Sequence, residues 1–151
     1  MKNKYAYLLA ALAVVIVLIA YSAMTLNSLQ PTQNGNSSGT VQKIEVIHFH
    51  PTQQCVSCRT VGAYAEETVN TFFQNELSTG KLTFQHINGE LANNSAIVQK
   101  YGATGSSLWI GTYDNNGFHA EQNLDVWYKI GNKTEFMGYL RGVIEDKLNG
   151  A

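Results

Sequence analysis

The sequence predicts an α/β fold, a central four-stranded mixed sheet with helices on both faces, preceded by an N-terminal transmembrane helix. Three observations predict it. An apolar run at 44–49 has strand character and leads, through Pro51 and a short polar loop, into Cys55-Val-Ser-Cys58 and then into apolar residues at helical spacing. Beyond it, strand and helix patterns follow in the order β-α-β-α-β-β-α, which gives one right-handed βαβ unit and then a hairpin. Ahead of it, residues 5–24 are almost wholly apolar, and a polar stretch separates them from the rest. The chain thus divides into an anchor at 1–26, a flexible linker at 27–41 and a globular domain at 42–151.

The apolar run at 5–24 has Ser22 as its only strongly polar member. At ~1.5 Å per residue it is long enough for a hydrocarbon core of roughly 30 Å. Lys2 and Lys4 precede it and no charge follows until Lys43. The positive-inside rule then expects a single-pass membrane protein, N-terminus cytoplasmic and C-terminal domain outside. The alternative is a cleaved signal peptide ending near Ala20-Tyr-Ser22, which exports the domain equally. The stretch after it is rich in Asn, Ser, Gln, Gly and Thr and cannot bury enough apolar surface to order itself.

The globular part reads in order. Residues 43–50 form the first strand, because Pro51 has no N–H to continue a ladder. Residues 58–77 form the first helix, with Val61, Tyr64, Ala65, Val69, Phe72 and Phe73 on its apolar face and Gly80 beyond its end. Residues 82–87 alternate as a strand does, and 91–101 read as a second helix ending at Gly102. Residues 107–113 form the third strand, Asp114-Asn-Asn-Gly117 a hairpin turn, and 118–122 the returning strand. Residues 123–130 read as either a strand or one helical turn. Residues 134–148 form a closing amphipathic helix, with Phe136, Tyr139, Leu140, Val143, Ile144 and Leu148 inward.

Composition narrows the function. The 151 residues carry a net charge of −1, and only 14% are charged. Such a balance gives no reason to expect nucleic acid as a partner. Two cysteines make neither a four-thiolate zinc site nor a disulfide framework, and their spacing suggests one reversible bridge. A helix N-terminus carries partial positive charge and favours the thiolate of a cysteine placed there.

Three stretches make the chain resemble the thioredoxin superfamily. They are residues 46–49 running into Cys55-Val-Ser-Cys58, then Leu82-Thr-Phe-Gln-His-Ile-Asn88, then Lys100-Tyr-Gly-Ala-Thr-Gly105 before an apolar strand. The resemblance implies the thioredoxin fold and thiol–disulfide exchange through a redox-active Cys55–Cys58 disulfide, with no other cofactor. It places Gln54, Ser106 and Ser107 on substrate-facing loops. It also shows departures. Gln54 stands where the family has Trp, Val56-Ser57 where it has Gly-Pro, and Ser107 where it has a cis-proline. His48 stands where the family has a buried Asp, and His86 where it has the neighbouring Lys. Phe49-His50-Pro-Thr, Gly105-Ser-Ser-Leu108 and Asn123-Leu-Asp-Val-Trp-Tyr-Lys129 look like a small exported family, the thioredoxin-like subunits associated with nitrophenyl compound reduction.

The expected roles follow. Cys55 is the nucleophile and Cys58 resolves the mixed disulfide. His48 and His86, on adjacent strands, face each other beneath the cysteines, where one takes the proton from Cys58. The partners expected are protein thiols and disulfides, the membrane, and a transmembrane electron donor if the protein reduces. Two readings compete. One is a copper or zinc carrier holding metal with Cys55, Cys58, His50 and His86. The other is a non-catalytic subunit of a redox complex.

Overall fold

The computed structural model describes residues 40–150. The expected anchor and nearly all of the linker lie outside the described residues. Among the described residues, no helix is long and apolar enough to cross a membrane.

The domain is α/β, as the periodicities predict. Strand β1 (Lys43–His50) leads into helix α1 (Val56–Phe72), a short helix α2 (Gln74–Thr79) and strand β2 (Leu82–Asn88). A 3₁₀ turn (Ala92–Asn94) opens α3 (Ser95–Tyr101). Strands β3 (Ser107–Asp114) and β4 (Gly117–Gln122) form the hairpin, and α4 (Lys133–Leu148) closes the chain. The sheet order is β2-β1-β3-β4. β1 runs parallel to β2 and antiparallel to β3, so the sheet is mixed.

β1 sits in the middle, and this explains its near-continuous apolar run. A strand covered on both faces reads without alternation. Ile44 and Val46 point to the face covered by α1 and α4, where Val61, Ala65, Val69, Phe136, Leu140 and Ile144 complete the larger core. Ile47 and Phe49 point to the other face, where Tyr101, Val98 and Trp109 close a smaller one. The second face also carries Glu45, whose carboxylate accepts hydrogen bonds from Tyr101 and Tyr113, each at 2.8 Å. Burial works against the charge of Glu45, but hydrogen bonds from Lys43, Tyr101 and Tyr113 hold its carboxyl below the ordinary range.

Two expectations are corrected. The helix predicted to run on to Leu77 is interrupted at Phe73, whose φ of −127° and ψ of 35° leave the helical region. Phe72, expected inward, is 41% exposed, while Phe73 is 3% exposed. Successive residues on a helix point about 100° apart, so only one of the two can follow Val69 into the core. The Arg141 guanidinium covers the Phe72 ring at 4.9 Å instead. The segment after β4, open in the sequence between a strand and one helical turn, contains a 3₁₀ turn (Asp125–Tyr128). Just ahead of it, the Asn123 side-chain oxygen accepts the Val126 N–H at 3.3 Å.

Candidate functional site

Pro51 ends β1, and the loop that follows brings Cys55 to the N-cap of α1. Its Sγ accepts the Cys58 backbone N–H at 3.0 Å. Cys55 is bonded to Cys58, with their Cα atoms 5.1 Å apart. Cys55 is exposed and Cys58 is 8% exposed, one turn in. A sulfur held at an N-cap against an amide donor is placed where a thiolate is favoured once the bridge opens. Arg59 donates from Nη1 to the Gln54 carbonyl at 2.8 Å and so ties the first turn to the loop before Cys55. Val56, between the cysteines, leaves an apolar side chain 71% exposed beside the disulfide.

Beneath α1 lie three histidines. His48 and His50 project from the same face of β1, and β2 pairs His86 directly with His48. The Nδ1 atoms of His48 and His86 are 3.0 Å apart. The rings of His48 and His50 stack at 5.5 Å. His50 Nδ1 lies 3.0 Å from both the Pro51 carbonyl oxygen and the Gln54 side-chain amide, which fastens it to the loop. The α1 backbone passes so close that a Cβ on Gly62 would stand 2.4 Å from His48 Nδ1 and 3.0 Å from His86 Cε1. Only glycine fits there, because no larger residue leaves room for the imidazoles.

His48 is 1% exposed, and its Nε2 has no hydrogen-bond partner. Burial, reinforced by the neighbouring His86 and His50, lowers its pKa to about 4, while the adjacent Cys58 main chain acts the other way. The ring is therefore neutral near pH 7. Outside this pair, Glu66 Oε2 lies 3.3 Å from His86 Nε2.

The predicted residues thus divide. Cys55, Cys58, His48, His50, His86 and Gln54 are joined by a chain of close contacts around the start of α1. Ser107 pairs with Phe49, donates to the Gly105 carbonyl at 3.0 Å and accepts from Trp109 Nε1 at 3.0 Å. Ser106 has a buried Oγ without a partner. Among the described residues, no three His, Cys, Asp or Glu side chains are grouped to hold a metal ion. Gly62 and Glu66 escape a reading of motifs. Their signal is helical spacing, since Cys58, Gly62 and Glu66 recur every fourth residue on one stripe of α1.

No family model matches the chain, and no curated protein matches it.

Proposed function

We propose that this chain is a thioredoxin-like thiol–disulfide oxidoreductase, tethered by residues 5–24 to the outer face of a membrane. The observation that carries the proposal is the asymmetric Cys55–Cys58 disulfide at the start of α1, one sulfur exposed and N-capping, the other buried. The β-α-α-β-α-β-β-α order around a mixed sheet supports the thioredoxin fold.

The reduced protein would react in two steps. The Cys55 thiolate attacks a substrate disulfide, which breaks and releases one substrate thiolate, leaving a mixed disulfide on Cys55. Cys58 then attacks Cys55 Sγ, closing the internal disulfide and releasing the second substrate thiolate. The substrate gains two electrons and the dithiol loses two. Only the second step needs a proton removed from Cys58, and the neutral His48 beside that residue supplies the base. With electrons delivered by a membrane partner the protein reduces its substrates; run in reverse, it oxidises them.

Trapping tests the proposal. Cys58→Ser should accumulate mixed disulfides through Cys55, and Cys55→Ser should not. The opposite pattern would exchange the two roles, and trapping by neither variant would end the exchange reading. His48→Ala should slow release of the mixed disulfide by roughly 10–100-fold while leaving alkylation of Cys55 nearly unchanged. A metal analysis of the reduced protein separates this reading from a copper or zinc carrier.

A further inference from the structure

A base held neutral by burial cannot keep a proton at neutral pH, so a proton taken from Cys58 has to move on. Hydrogen-bond chemistry along the cluster shows where. Glu66 as a carboxylate only accepts, so the His86 Nε2 facing it at 3.3 Å carries the proton. In a neutral His86, Nδ1 is then an acceptor, and the His48 Nδ1 at 3.0 Å donates to it. That leaves the His48 Nε2 lone pair bare, and this is the buried atom without a partner. Exposure rises along the same path, from 1% at His48 to side chains 38% exposed at His86 and 51% at Glu66.

We infer that His48, His86 and Glu66 form a proton outlet that carries the Cys58 thiol proton from beneath α1 to solvent. The inference rests on the exchange reading and adds Glu66 and His86 to it as positioning residues. The Cys58 S–H proton moves to His48 Nε2 as the Nδ1–H of His48 moves to His86 Nδ1. The positive charge appears on His86, beside the Glu66 carboxylate, and never settles on the buried ring. His86 then gives its Nε2 proton to water at the Glu66 carboxylate. Reduction of the internal disulfide runs the same transfers backwards, from solvent to the Cys58 thiolate, and resets both tautomers. The titratable groups packed around His48 are His50 on β1 and His86 on β2, with Glu66 acting through His86, and from α1 it is the Cys58 main chain that reaches the ring. Leu108, its partner on β3, is apolar.

The test uses the reduced full-length protein and dithiobis(nitrobenzoate), which releases one coloured thiolate as Cys55 attacks and a second as Cys58 closes the disulfide. Glu66 is exposed, so Glu66→Gln leaves the packing intact. It should leave the first release unchanged and slow the second about tenfold at neutral pH, a small part of the roughly 10²–10⁴ that general acid–base catalysis supplies. The gap should close at alkaline pH, where a thiol proton is lost to solvent without a base. His86→Ala should show a larger defect, restored by added imidazoles in proportion to their basicity. A Glu66→Gln second phase with the parent rate and pH profile would overturn the outlet alone. Absence of a second release from the parent protein would end the exchange reading, and the outlet with it.

Discussion

At the scale of single residues, His48 and Gly62 show how tightly the site is built. His48 stays neutral in the fold with a pKa near 4, whereas in the unfolded chain it titrates at its ordinary 6.5. Between those values the unfolded state binds more protons, so stability is complete above 6.5 and falls as pH drops through 4. The shift corresponds to at most about 3–4 kcal/mol. Urea unfolding followed from pH 7 downwards should show this loss, and His48→Asn should be less stable at neutral pH but flatter across the same window. An unchanged slope in His48→Asn would mean that other groups carry the acid sensitivity. Gly62 makes the complementary prediction. Its missing Cβ is the space that His48 occupies, so Gly62→Ala must push both imidazoles aside. It should cost about 1–3 kcal/mol. It should also slow closure of the disulfide more than it slows alkylation of Cys55. Ala63, exposed on the same helix, is the control.

At the scale of elements, the interruption after α1 separates two adjacent aromatics that the sequence cannot distinguish. Phe73 lies in the core with Val69 and Leu82, and Phe72 lies outside under Arg141. Phe73→Ala should therefore cost about 3–5 kcal/mol. Phe72→Ala, at a largely exposed site, should stay within about 0.5 kcal/mol. Comparable losses in chemical denaturation would mean that the helix runs on unbroken. α4 shows the opposite case, in which local chemistry suffices. Asn132 caps it by accepting the Glu135 N–H at 3.2 Å, and the expected inward residues Phe136, Leu140 and Ile144 are fully buried.

At the scale of the whole molecule, the proposed exchange and the proposed membrane tether are separable. The apolar run at 5–24, preceded by Lys2 and Lys4, predicts that the full-length protein stays with membranes after carbonate washing. Recovery as a shortened soluble chain would show a cleaved leader, and thiol exchange by the domain would be unaffected.

The elements were legible in the sequence because their signals are local. Pro51 stops a strand, Gly102 at φ 68° ends a helix, Asp114-Asn-Asn-Gly117 turns a hairpin, and apolar spacing distinguishes period 2 from period 3.6. The cysteine pair at a strand-to-helix junction was legible for the same reason, and so was the shared face of His48 and His50. The meeting of His48 with His86 needed the parallel register of β1 on β2, which the resemblance supplied as an expectation. What only the tertiary structure decided lies between elements. It set the approach of α1 to the sheet, which makes Gly62 obligatory, and it carried Glu66 to His86 across 20 residues of sequence. It also chose Phe73 over Phe72 for the core. Periodicity says which side of an element is buried. The distance and rotation at which two elements pack depend on all the side chains between them at once.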